Sequence, residues 1–179
     1  VDAMSEGAKK CKIKANEVLI KVKAAAVNSG DVRIRALAGG NVPPFVMQLI
    51  FGWKRPKSGI QGLMFSGIIE EVGSKVSHWQ IGDEVYGDTG MSMGAHAEYL
   101  ALTPDKKIQG KPENASFEEA AAILFGGTTV LYFLEKAGIA LMDKPKVMIY
   151  GATGSVGASA LEIAKHYGAQ VTAACSRNG

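Results

Sequence analysis

Cysteine is scarce in this 179-residue chain: Cys11 and Cys175 are the two, and they form no spaced framework. That scarcity argues against a disulfide-stapled scaffold and for a reducing compartment, with the cytoplasm as the expected location. Runs of like charge are also missing, and the formal net charge is only +3. So mild a balance gives no electrostatic footprint for nucleic acid, and no nucleic-acid partner is expected. Lys9, Lys10, Lys12 and Lys14 cluster near the start and read as a solvated strand or loop. The opening stretch, "VDAMSEGAKKCKIK", contains no apolar core of the kind a secretory signal carries. The greasiest stretch, "VPPFVMQLIFGW" from Val42 to Trp53, falls short of the roughly 20 apolar residues that span a bilayer. Gly39, Gly40 and Pro56 flank it, as they would a covering loop or a short buried helix. The expectation is a soluble protein with no membrane partner.

What is present is a globular composition, 47% hydrophobic and 21% charged, which separates the chain from disordered sequences. Its first two-thirds read as strands and turns. "EVLIKVKAAAV" sets Val18, Ile20 and Val22 against Lys21 and Lys23, the two-residue period of a half-buried strand. "GIIEEVG", "DEVYG" and "AHAEYLAL" follow in the same way, punctuated by Gly67, Gly73, Gly82, Gly87 and Gly94. Short strands so spaced predict a small barrel or sandwich. At Ser116 the texture changes. "SFEEAAAILF" offers Ser116 as N-cap with Glu119 three residues on, a capping box. "TVLYFLEKAG" predicts a second helix, closed at Gly138 by a left-handed C-cap.

"KVMIY" then reads as an apolar strand, followed by Gly151, Gly154 and Gly157 in G-x-x-G-x-x-G spacing. Val156, Ala160, Leu161, Ala164 and Tyr167 recur at helical intervals until Gly168, and "QVTAAC" predicts a second strand. A turn this tight needs positions without Cβ atoms, and a diphosphate reaches the backbone only where side chains are absent. The N–H groups at the helix start, including those of Ser155 and Val156, then hold the negative charge. A glycine triplet alone is a weak signal; between a strand and a helix it marks a dinucleotide site. At the end of the second strand, where an NAD site places a carboxylate, the chain has Ser176 and Arg177. A hydroxyl donor and a guanidinium fork suit a 2′-phosphate, so NADPH is the expected cofactor.

These segments, with "VNSGD" and "FGGTTV", resemble the medium-chain dehydrogenase/reductase superfamily, and most closely its zinc-free, quinone oxidoreductase-like branch. The resemblance covers nearly the whole chain. It implies an α/β fold with a β-rich N-terminal part: a GroES-like β-barrel catalytic domain over residues 1–120, then a bridging helix and an incomplete Rossmann domain over 121–179. On that pattern the chain reads as truncated after the first β-α-β portion, and the isolated piece is expected to be inactive and to bind NADPH weakly. Zinc-dependent relatives carry Cys where this chain has Asn28, and a His-Glu pair where it has Leu63 and Met64. A zinc site takes three or four N, S or O ligands, so none is expected, and His78, His96 and His166 read as surface or packing residues. Met64 also departs from the zinc-free pattern, which often carries Asp there.

Without a Lewis acid, an acceptor that delocalises the incoming charge is favoured. The resemblance thus implies hydride transfer from NADPH to a quinone or α,β-unsaturated carbonyl. A zinc-free NADP-dependent alcohol dehydrogenase and a non-catalytic, crystallin-like nucleotide binder are the alternatives. Asn28 and Asp31 match the family's N-x-x-D and would line the cleft, with Asn28 donating to a substrate oxygen; a helix cap is the other reading of Asp31. Thr129 matches a threonine beside the nicotinamide, and as a helix N-cap could serve both roles. The apolar stretch Phe45 to Trp53 would cap the cleft, fill the core or make a dimer contact, and a homodimer is expected of the complete protein.

Overall fold

The computed structural model describes residues 12–36, 46, 59–105 and 108–176. Cys11, Arg177 and the stretch Phe45 to Trp53 apart from Val46 lie outside them. The chain divides into two compact units, Val1–Ala122 and Ile123–Gly179.

The first unit is built on β1 (Val18–Ala26), β2 (Met64–Val72), β3 (Glu84–Asp88), β4 (Tyr99–Leu102) and β5 (Ile108–Gly110). They form an antiparallel sheet in the order β4-β1-β2-β3-β5. Val18, Ile20, Phe65, Ile69, Val85, Leu100, Leu102 and Ile108 supply its core, as the two-residue period required. Leu19 departs from that period, being fully buried between two buried neighbours. Successive side chains point to opposite faces, so the start of β1, paired with both β2 and β4, is covered on both sides. "AHAEYLAL" is a strand only from Tyr99 on. Its first half is held by loop bonds instead, with Ala95 N–H donating to the Gly62 carbonyl (3.1 Å) and His96 N–H to that of Gln61 (2.8 Å).

A short helix, α1 (Ser29–Arg35), follows β1, and α2 (Phe117–Lys136) leads into the second unit. The capping box at the start of α2 is present: Ser116 N–H donates to the Glu119 carboxylate (2.8 Å), and Glu119 N–H to the Ser116 hydroxyl (3.1 Å). The buried Ser66 hydroxyl donates to the Phe117 carbonyl (2.6 Å), binding the first turn of α2 to β2. Lys111 adds a second fastening. Its side chain is 7% exposed, and the ammonium group donates to the carbonyls of Pro112 and Ala115, pairs with Glu84 at 3.1 Å and lies 5.3 Å from the Phe117 ring centre.

The two helices expected over 116–138 are one helix of 20 residues, continuous through Gly126 and Gly127. Glycine lowers helix propensity by about 1 kcal/mol, yet tertiary contact overrides so small a preference. Joined, α2 is long and apolar enough to cross a membrane by length and composition. It ends at Gly138, which adopts φ 70°.

The second unit continues with β6 (Lys146–Tyr150), α3 (Ser155–His166) and β7 (Gln170–Ala174). β6 and β7 pair in parallel, Lys146 opposite Gln170 through Tyr150 opposite Ala174, with α3 as the crossover. Tyr132, Phe133, Leu141, Met148 and Tyr150 of this unit are exposed.

Phe65 is the largest fully buried side chain among the described residues. Phe65→Ala is expected to destabilise the first unit by about 3–5 kcal/mol, because the sheet cannot collapse into the space left. Urea unfolding followed by circular dichroism checks this, and a loss below 1 kcal/mol would contradict the assignment of Phe65 to the core.

Candidate functional site

In the second unit, the backbone after β6 turns sharply at Gly151, whose φ of 76° favours a residue without a Cβ. Gly151 and Ala152 N–H both donate to the Ala174 carbonyl, at 2.9 and 3.2 Å, which ties the turn to the end of β7. Gly154 N–H donates back to the Gly151 carbonyl (3.1 Å), and the Gly154 carbonyl accepts the first helical bond of α3 from Ala158 (2.8 Å). Gly154 is the N-cap and brings no side chain to the helix end.

The N–H groups of Ser155, Val156 and Gly157 therefore precede the first intrahelical bond, and none has a partner among the described residues. They sit at the positive end of the α3 dipole. Gly154, Ser155 and Val156 are exposed, so an anion can reach them. Gly157 is buried for another reason: a Cβ there would fall on the Gly151 carbonyl oxygen and 2.7 Å from the Ala152 Cα. Helix and turn are in backbone contact. A diphosphate fits this cradle on both counts, open N–H donors and bare backbone.

Ser176 lies just beyond β7 and is exposed; Arg177 lies outside the described residues. Thr129 is half-buried in the interior of α2, so its reading as an N-cap is corrected by the continuity of that helix. Its hydroxyl donates to the Phe125 carbonyl one turn back (2.8 Å), which leaves the oxygen able to accept.

In the first unit, Asn28 and Asp31 are brought together. Asn28 is the N-cap of α1, its Oδ1 accepting from Gly30 N–H (2.7 Å) and Asp31 N–H (3.3 Å). Asp31, 5% exposed, accepts from Asn28 N–H at 2.9 Å. The helix cap is thus Asn28, and Asp31 is its reciprocal partner in a capping box. Two backbone N–H groups fix which end of the amide is oxygen. The remaining end, Asn28 Nδ2, is buried and has no hydrogen-bond partner among the described residues. A donor in that state is costly unless something accepts from it. Leu63 packs beside Gly30, and Met64 is buried at the start of β2. Among the described residues, no three of His, Cys, Asp and Glu gather as a metal-binding group.

One contact had no place in the sequence reading. Gly126 of α2 is buried against the first turn of α3, where a Cβ would fall on the Ser159 hydroxyl and 2.6 Å from the Ser155 carbonyl oxygen. Its signal was the pair of glycines in "FGGTTV", which a helix keeps only for a packing or functional reason.

Residues 14–113 match the alcohol dehydrogenase GroES-like domain family. A 2-methylene-furan-3-one reductase of Solanum lycopersicum is 34% identical over 93% of this chain and 42% of its own length. The structure of the quinone oxidoreductase from Coxiella burnetii superposes with a TM-score of 0.79, at 34% identity, over 95% of this chain and 51% of that one. An Escherichia coli quinone oxidoreductase complexed with NADPH does so with a TM-score of 0.76, at 28% identity, over 97% of this chain and 48% of that one. The chain thus spans about half the length of these relatives. With an antiparallel β unit that matches the GroES-like domain and a glycine turn opening onto a β-α-β unit, the chain belongs to the medium-chain dehydrogenase/reductase superfamily.

Proposed function

We propose that this chain forms part of a zinc-independent oxidoreductase that transfers hydride from NADPH to a quinone or an α,β-unsaturated carbonyl. The observation that carries the reading is the turn before α3, with three N–H groups that have no partner among the described residues, over a bare backbone. The relatives, a 2-methylene-furan-3-one reductase and quinone oxidoreductases, one of them complexed with NADPH, support the same chemistry.

When bound, the reduced nicotinamide supplies the hydride. The chain's own residues bind and orient. Ser155, Val156 and Gly157 N–H groups hold the diphosphate at the helix end, with Gly151 and Gly154 clearing its approach. Thr129 offers an acceptor oxygen toward the nicotinamide end. Ser176 and Arg177 donate to the 2′-phosphate, which selects NADPH over NADH.

Asn28 Nδ2 would donate to the acceptor's oxygen, the atom on which negative charge develops when a conjugated acceptor is reduced. Asp31 acts as a positioning residue, holding the Asn28 backbone so that the donor keeps its direction. Zinc independence rests on the donor set: the Asn28 amide oxygen is engaged by the α1 cap, and Leu63 and Met64 offer no strong ligand.

The protein as encoded in full is expected to consume NADPH when given phenanthrenequinone or a simple enone. Binding of NADPH without turnover of either would favour the non-catalytic alternative. Asn28→Ser keeps a capping oxygen and removes the amide donor. It should lower kcat/KM by about a hundredfold while changing the unfolding midpoint little, and an unchanged kcat/KM would remove Asn28 from the mechanism. Arg177→Ala should narrow the preference for NADPH over NADH by about tenfold, read as the ratio of the two Kd values; an unchanged ratio would show that the 2′-phosphate is held elsewhere.

A further inference from the structure

The reading of the α3 turn as a diphosphate seat leaves open what fixes that turn in place. Two contacts press on it. On one side is Gly157, whose missing side chain lets α3 lie against Gly151 and Ala152. On the other is Gly126 of α2, facing the Ser155 carbonyl and the Ser159 hydroxyl. Ser155 and Ser159 share a helix face, joined by a bond from the Ser159 hydroxyl to the Ser155 carbonyl (3.0 Å). Gly157 lies about 200° round the helix from Ser155, on the opposite side. The first turn of α3 is therefore gripped between two bare backbones.

We infer that Gly126 is a positioning residue for the dinucleotide: it sets where the open N–H groups of Ser155, Val156 and Gly157 stand. This rests on the cofactor reading above. A methyl at residue 126 cannot be absorbed by a rotamer change alone. The Ser159 hydroxyl can swing away, but the Ser155 carbonyl is backbone in the turn itself. Nor can the turn retreat toward β6, because at Gly157 there is no gap to close. The displacement must pass into the N–H groups that meet the ligand. Gly127, the next residue, has nothing within 4 Å of a built Cβ and provides the control.

The full-length protein, titrated with NADPH and separately with adenosine 2′-monophosphate, which carries no phosphate at its 5′ position, tests this. Gly126→Ala should weaken NADPH about tenfold or more and leave the monophosphate unchanged, while Gly127→Ala binds both as the unsubstituted protein does. Gly126→Ala binding NADPH as tightly as the unsubstituted protein, or losing both ligands equally, would overturn the inference. If Gly126→Ala does not fold, Ser159→Val presses on the same contact from α3. Selective loss of NADPH would support the inference, and unchanged binding would overturn it. Should the unsubstituted protein not bind NADPH at all, the cofactor reading itself fails and this inference with it.

Discussion

Backbone contact between the start of α3 and the turn after β6 is the constraint on which the second unit depends. An α-helix ordinarily keeps its neighbours at side-chain distance. Here Gly157 removes the side chain on one face, so the helix settles directly onto Gly151 and Ala152. The same closeness lets both turn residues donate to the Ala174 carbonyl and so register the turn against β7. As at any helix start, the first N–H groups lack an intrahelical acceptor, and with Gly154 as a cap without a side chain those of Ser155, Val156 and Gly157 find none among the described residues. Their cost as unsatisfied polar groups is met by solvent or by an anion.

The first unit solves a similar problem differently. Asn28 gives both lone-pair directions of its amide oxygen to the start of α1, which commits the other end of the group to being a donor. A flippable amide could present either character to a ligand; this one cannot. Direction is supplied by local sequence, Asn28 with Asp31 three residues on, without any distant partner.

Where local chemistry decides the structure, the sequence was readable. "KVMIY" is β6 to the residue, and Ser116 with Glu119 caps α2 as their spacing implies. Where tertiary contact decides, it was not. Gly126 and Gly127 look like a break between two helices, because propensity is local, whereas the close neighbour of Gly126, the start of α3, is distant in sequence. Strict alternation with Val18 and Ile20 would turn Leu19 to the solvent face, yet it is fully buried, because the start of β1 is covered on both sides. The spacing of Asn28 and Asp31 was legible, but that Asn28 is the cap and Asp31 its reciprocal partner follows only from the folded start of α1. The same holds for Thr129: its hydroxyl proton goes to the Phe125 carbonyl, a fact that follows only from a continuous α2.

Lys111 carries a consequence for where the first unit stops. The sequence match to the GroES-like family runs to residue 113. The Lys111 ammonium, however, draws its oxygen partners from Glu84, Pro112 and Ala115, and its ring contact from Phe117. A protein trimmed at the homology limit would strand a buried cation with part of its shell gone. The physical edge of this module therefore lies beyond its evolutionary one, inside the first turn of α2.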